Sequence, residues 1–221
     1  MSSKPTDLSP ALQDYAKAIY VLEQRSGRVS TTALAERLGV TPASVSGMIR
    51  TLVERELVRH EPYHGITLTK KGVAVALEVI RHHRLLELFL AESLGVPWDR
   101  VHEEAEVLEH ALSEELEARI AARLGYPTHD PHGDPIPTPD GAIEAPAGLP
   151  LAELEPGTGG VFIRVSDEDP ALLRLLAEQR ISIGDRVELV DKESYSVRVG
   201  DTVHVLGAEV ATAMRVVAEH V

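Results

Sequence analysis

Val40-Thr41-Pro42-Ala43-Ser44-Val45-Ser46-Gly47-Met48-Ile49-Arg50-Thr51-Leu52-Val53 reads as a short helix whose start is written into it. The Thr41 hydroxyl can cap the first turn, and Pro42 sits at the first helical position, where a missing N–H costs nothing. Val45, Met48, Ile49, Leu52 and Val53 then recur at helical spacing and define one apolar face. Upstream, Ser9-Pro10 repeats the same start, and Leu12, Tyr15, Ala16, Ile19, Tyr20 and Leu22 form a stripe that Gly27 ends. Thr31 to Leu38 makes a second, shorter helix closed by Gly39. Downstream, Leu57-Val58 and Ile66-Thr67-Leu68 are strand-like runs around a turn at Tyr63-His64-Gly65. Helix, short helix, turn, helix, hairpin is the order of a winged helix-turn-helix. Thr41, Pro42, Ser44, Ser46 and Arg50 stand at or near the start of its third helix, where major-groove readers contact bases and phosphates. Thr31 and the hairpin residue His64 join them as candidate DNA contacts, with Arg55, Arg59, Lys70 and Lys71 as flanking phosphate contacts.

Charge is distributed to suit. The chain of 221 residues has a net charge of −13, which by itself argues against a polyanionic partner. Through Val75, however, the balance is +3, and the remainder carries −16. The acid is confined, so the first third can still face phosphate. Zero cysteines exclude disulfides, thiolate metal sites, iron–sulfur clusters and cysteine nucleophiles together. No apolar run approaches the roughly 20 residues that span a bilayer. The opening MSSKPTDLSP lacks a signal-peptide core, so the expectation is a cytoplasmic protein with no membrane contact.

Thr69 opens a long helix that runs to about Leu94 and stops at Gly95. Leu85, Leu86, Leu88, Phe89 and Leu90 cover more than one of its faces, and a homodimer interface is the economical way to bury them. A second helix starts near Trp98 and breaks near Ser113 before continuing to Leu124. It carries His102, Glu106, Glu109 and His110, whose steps of three and four place them on neighbouring positions of one face. On the preceding helix His83 and Glu87 repeat the four-residue step. Imidazoles and carboxylates without a thiolate suit Mn²⁺ or Fe²⁺ and, less distinctively, Zn²⁺ or Co²⁺. The competing reading is a solvated acidic helix, since Glu103, Glu104, Glu114, Glu115 and Glu117 surround the cluster; the second His/Glu pair tips the balance toward metal. A zincin is excluded, because His102-Glu103 is not followed by a histidine at the required step. His129 and His132 could also bind metal, but they sit among prolines, where a structural turn is the simpler role, and His60, His64 and His82 read as surface residues rather than ligands.

Eight of the 14 prolines lie between Pro127 and Pro156, the mark of a linker or extended strap. Beyond it, Val161–Val165, Arg186–Val190, Ser194–Val199, Thr202–Leu206 and Ala213–Val217 read as short strands, interrupted by one helix from Pro170 to Gln179. Such strands in so short a stretch suggest a small barrel. The reading is therefore mainly α with a small β domain. It divides into a winged helix-turn-helix (1–75), a helical metal-binding and dimerisation domain (76–145), a proline-rich linker (146–156) and a C-terminal β domain (157–221). Enzymatic machinery is not evident: there is no G-x-S-x-G, and Gly157-Thr158-Gly159-Gly160 lacks the lysine and helix of a phosphate loop.

Several of these stretches together resemble the metal-dependent repressors typified by the diphtheria toxin repressor and the manganese transport regulator. The resemblance rests on Tyr15-Ala16-Lys17-Ala18-Ile19-Tyr20, Val40 to Ser46, Leu68-Thr69-Lys70-Lys71-Gly72 and Arg81-His82-His83-Arg84-Leu85-Leu86-Glu87. It extends through Val101-His102-Glu103-Glu104-Ala105-Glu106 with Glu109-His110, and Pro131-His132-Gly133-Asp134-Pro135-Ile136-Pro137. It implies a homodimer whose winged helices dock on double-stranded operator DNA once metal is bound, and a C-terminal domain that is an SH3-like barrel. It also implies a primary metal site at Asp14, Glu106, Glu109 and His110, and an ancillary site at His83, Glu87 and His102. The last is completed by an acceptor from the C-terminal domain, for which Asp167, Glu168 and Asp169 are the candidates. Iron-responsive members carry thioether and thiol ligands where Asp14 and Glu106 stand here, so the harder donor set favours Mn²⁺ over Fe²⁺, with Zn²⁺, Co²⁺ or Cd²⁺ able to bind in vitro. Two-domain manganese members usually have a glutamate where this chain has Lys17, whose ammonium can instead pair with a ligating carboxylate in the metal-free form. The implied function is a manganese-activated repressor of metal-uptake genes. An iron-responsive regulator is the first alternative, and a winged-helix regulator with an organic effector the second; a hydrolytic metalloenzyme lacks any spare base or oxyanion donor at recognisable spacing.

Overall fold

The computed structural model describes residues 8–61, 65–145, 147–166 and 169–218, which form two compact units. The first unit comprises residues up to His83, with Leu108–Glu117 and Pro137–Ile143. It contains α1 (Pro10–Ser26), α2 (Thr31–Leu38), α3 (Pro42–Glu54) and the hairpin of β1 (Val58–Glu61) and β2 (Gly65–Leu68). These are the elements the capping residues and apolar spacing predict. Ser30 caps α2 by accepting from Ala33 N–H, and Thr41 caps α3 by accepting from Ser44 N–H. Gly27 and Gly39 end their helices in the left-handed conformation that lacks a Cβ penalty. The apolar stripes meet in one core, with Ile19, Leu34, Leu52, Leu57 and Ile66 fully shielded. The hairpin is antiparallel, with Val58 opposite Leu68, and its turn residue His64 lies outside the described residues.

Helix α4 (Lys70–Leu94) follows directly, and its burial is broad: Val75, Ala76, Val79, Ile80, Leu85, Leu86 and Leu90 are all shielded within the single chain. The metal-cluster helix begins at Val101 rather than at Trp98. It is α5 (Val101–Leu108), and a 3-10 turn over Glu109–Ala111 separates it from α6 (Glu114–Arg123). The helical spacing read from His102 to His110 is therefore interrupted at Glu109.

The second unit comprises Arg84–Val107, Ala118–Ile136 and Glu144 onward. Its sheet contains β3 (Leu149–Pro150), β4 (Gly159–Arg164), β5 (Arg186–Asp191), β6 (Ser196–Val199), β7 (Thr202–Val205) and β8 (Arg215–Ala218), in the order β3-β8-β4-β5-β6-β7. Every neighbouring pair is antiparallel. Alternate residues point inward: Phe162, Val187, Leu189, Val197 and Val216 are buried under α7 (Pro170–Glu178) and α8 (Gly207–Ala213). Two details depart from the sequence pattern. Ala213 ends a helix rather than starting the last strand, because Gly207 takes a left-handed turn and Val210 and Ala211 pack inward. Leu149 and Pro150 form an edge strand on β8, where proline's missing donor is harmless, and Leu151 and Leu154 enter the core.

Two outcomes follow from this packing. A Cβ on Gly72 would lie 2.0 Å from the Leu57 carbonyl oxygen, so Gly72→Ala pits a helix-propensity gain of about 1 kcal/mol against a backbone clash. The clash is with backbone that cannot rotate away, and we expect a net loss of about 1–2 kcal/mol by denaturant unfolding. Glu117, beside His82 and the Arg81 guanidinium, is held below the ordinary carboxylate range. Its contribution to stability is complete above its unfolded-chain pKa and is lost as pH falls through the lower folded value. Glu117→Gln should therefore flatten the acid limb of the stability–pH curve, and an unchanged limb would count against the contact.

Candidate metal centres and the DNA-reading helix

In the first unit, Asp14, Glu109 and His110 each offer one ligand atom, and these atoms lie within 4.8 Å of one another. Helix α1 supplies Asp14, and the 3-10 turn after α5 supplies the other two. His110 Nε2 is 2.8 Å from Asp14 Oδ1 and 3.6 Å from Glu109 Oε1. The imidazole is oriented from behind by Gln13, whose Oε1 is 2.6 Å from His110 Nδ1. Gln13 Nε2 is directed to the Leu8 carbonyl, so its oxygen faces the ring, Nδ1 donates, and Nε2 presents its lone pair to Asp14. Two acceptors facing at that distance call for a proton or a shared cation. Glu109 is completely buried at the centre of the group. Lys17 Nζ bonds both of its oxygens, at 2.8 and 3.0 Å, and lies 3.3 Å from His83 Nδ1, which itself contacts Glu109 Oε2. The pairing expected of Lys17 is thus present. His82, read as a surface residue, is instead buried, with Nδ1 3.2 Å from the Glu109 carbonyl and Nε2 3.2 Å from Glu117. Its position on the inward face of α4 follows from a helix buried on several sides.

The second unit holds another group. Glu87, on α4, and His102 and Glu106, on α5, come together: His102 Nδ1 is 3.4 Å from Glu87 Oε1, and Nε2 is 3.8 Å from Glu106 Oε1. Glu87 also belongs to a wholly buried trio with Asp130 and His132. His132 is therefore no simple turn residue. Trp98 stacks on its ring at 5.9 Å, its Nε2 is 2.8 Å from the Trp98 carbonyl, and its Nδ1 has no hydrogen-bond partner among the described residues. Burial, and then the charges of Glu87 and Asp134, push Asp130 well above the ordinary carboxylate range against the pull of Arg84. An orphaned imidazole nitrogen beside the buried carboxyl groups of Glu87 and Asp130 is a donor set suited to a divalent cation. Of the acceptors expected from the C-terminal domain, Asp169 is engaged as the N-cap of α7, accepting from Ala171 and Leu172 N–H. Asp167 and Glu168 lie outside the described residues.

On α3, Thr41, Pro42, Ser44, Ser46 and Arg50 are all exposed, while Val45, Ile49 and Leu52 face the core. Thr41 and Ser44 share a hydroxyl hydrogen bond of 3.0 Å, and Ser46 donates to the Pro42 carbonyl. Thr31 is half-buried at the start of α2. Arg55, Arg59 and Lys70 are exposed, whereas Lys71 donates to the Arg55 carbonyl and joins α4 to the end of α3. A polar, small-residue surface at a helix N-terminus has the shape and chemistry of a major-groove reader.

Gln13 and Asp130 are absent from the ligands expected from the sequence, and His132 stands there only behind the reading as a structural turn. A buried glutamine inside an apolar stripe has no periodic signature. Asp130 and His132 are separated from Glu87 by more than 40 positions of chain, with only the His-Gly-Asp-Pro run to draw attention to them.

Comparison with known proteins identifies the family. Residues 7–66 match the iron dependent repressor N-terminal DNA binding domain, residues 69–138 the iron dependent repressor metal binding and dimerisation domain, and residues 149–218 the FeoA domain. The chain is 37% identical over 131 residues to the iron-dependent repressor IdeR of Mycobacterium leprae, a match spanning 59% of this chain and 57% of that protein. It is 28% identical over 210 residues to the diphtheria toxin repressor of Corynebacterium jeikeium, spanning 92% and 88% of the two chains. Among solved structures, a manganese-dependent transcriptional repressor in complex with manganese superposes with a TM-score of 0.87 at 42% identity, over 94% of this chain and 100% of that one. With its winged helix, its metal-binding helices and its small β domain matched in order, the chain belongs to the family of metal-dependent transcriptional repressors that includes the diphtheria toxin repressor.

Proposed function

We infer that this protein is a metal-responsive transcriptional repressor that binds operator DNA as a homodimer, with Mn²⁺ as its effector and metal-uptake genes as its targets. One observation carries the reading: Asp14, on the first helix of the DNA-binding fold, shares a ligand group with Glu109 and His110, which come from outside that fold. A bound divalent ion supplies positive charge where the Asp14 and Glu109 carboxylates converge. Asp14 links that charge to α1, and α1 packs on α2 and β2 of the winged helix. Any ligand that binds the converged arrangement better than the dispersed one stabilises it by its differential affinity. By that linkage the orientation of the reading helix α3 becomes metal-dependent.

The primary site we propose is Asp14, Glu109 and His110. Glu87, Asp130 and His132 are proposed as a second site, to which His102 is close. All donors are oxygen or imidazole, which favours manganese; the manganese-bound relative at 42% identity supports the same choice. Fe²⁺ is the alternative effector.

Fluorescence anisotropy on DNA from the upstream regions of metal-transport genes, at fixed salt, tests this directly. Chelated protein should bind weakly, and micromolar Mn²⁺ should raise affinity at least tenfold, reversibly with chelator. Asp14→Ala should abolish that gain; full metal-dependent binding by the variant would sink the linkage. Arg50→Ala should weaken DNA binding by about 1–3 kcal/mol while leaving Mn²⁺ affinity, measured by calorimetry, unchanged.

A further inference from the structure

The Lys17 ammonium lies among candidate metal donors. It stands one helical turn after Asp14 on α1, and it bonds both oxygens of the buried Glu109 carboxylate while lying 3.3 Å from His83 Nδ1. An ion bound by Asp14, His110 and Glu109 must share Glu109 with this cation or displace it. From these contacts we propose that Lys17 is a tethered competitor for the primary metal site. It neutralises Glu109 when no metal is bound, sets a higher metal concentration for occupancy, and keeps His83 and Glu109 Oε2 from holding a second ion beside the first.

Two physical facts carry this inference. A buried carboxylate without a counter-charge is costly, so the metal-free protein needs a cation at Glu109, and an ammonium on the same unit meets that need without a free ion. The same ammonium then repels an incoming divalent ion at short range, where solvent screening is weak. His83 follows from the geometry: its Nδ1 faces the ammonium and Glu109 Oε2, so the donors on that side are already engaged.

The proposal rests on the metal-site reading above, and the experiment separates the two. Free Mn²⁺ is followed by electron paramagnetic resonance in titrations of wild type, Lys17→Met, Lys17→Gln, Lys17→Arg and Asp14→Ala. The ion lost in Asp14→Ala defines the primary site. We expect it to bind at least tenfold more tightly in Lys17→Met and Lys17→Gln, with Lys17→Arg close to wild type. The metal-free Met and Gln variants should melt below wild type, and Mn²⁺ should close the gap. Lys17→Gln retains a hydrogen-bond donor, so it keeps the test available where the methionine variant does not fold. Folded neutral variants that bind the primary ion no more tightly than wild type would overturn the proposal while leaving the site intact. If no bound ion is lost in Asp14→Ala, the site reading fails, and this inference with it.

Discussion

The buried carboxylate of Glu109 is the constraint on which the first unit is organised. A shielded negative charge is tolerable only with a partner at hydrogen-bond range, and removing one member of such a pair typically costs about 3–5 kcal/mol. Glu109 meets this requirement with Lys17 from α1 and His83 from α4, so the charge ties three separate segments of chain to one point. His110, its neighbour on the 3-10 turn, adds Asp14 and Gln13 to the same centre. A helix of the DNA-binding fold is thereby held by electrostatics that a metal ion can rewrite.

The second unit repeats the theme with different means. Asp130, Glu87 and Asp134 crowd carboxylates into a shielded region, and Arg84 and Arg164 supply the balancing charge: Arg164 Nε is 2.8 Å and Arg84 Nη2 3.2 Å from Asp134 Oδ1. The proline-rich segment that carries Asp130 and Asp134 is pressed onto β4, where a Cβ on Gly133 would fall 1.9 Å from the Ile163 carbonyl oxygen. Val165 N–H donates to the His132 carbonyl, so the segment is joined to that strand by backbone as well as by charge. Proline here does not mark a free linker. It stiffens a strap that is fixed to the sheet by backbone and by charge.

The DNA-binding fold was legible because its signals are local. The Thr41 cap, the two helix-initial prolines, the terminating glycines and the apolar stripes of the first and third helices are enough to order three helices and a hairpin, and the burial of Leu12, Ile19, Val45 and Leu52 follows the spacing, although Ser9 makes no side-chain cap bond. The β domain was legible in outline, with errors at Leu149-Pro150 and Ala213. There an edge-strand proline and a short helix satisfied packing that alternation alone does not describe.

What the amino-acid sequence determined by itself was the class of donor and its neighbourhood: histidines and carboxylates at helical steps, no thiolate, and a positively balanced first third beside an acidic remainder. Helical spacing is a short-range property, so it could group His102 with Glu106, and His83 with Glu87. Only the tertiary structure decided which donors share a centre. A 3-10 turn ends the helical spacing at Glu109, and chain folding brings Asp14, Gln13 and Lys17 to Glu109 and His110, and Asp130 and His132 to Glu87. Those groupings depend on the desolvation of Glu109 and Asp130, and desolvation is a property of the packed interior that no local pattern encodes.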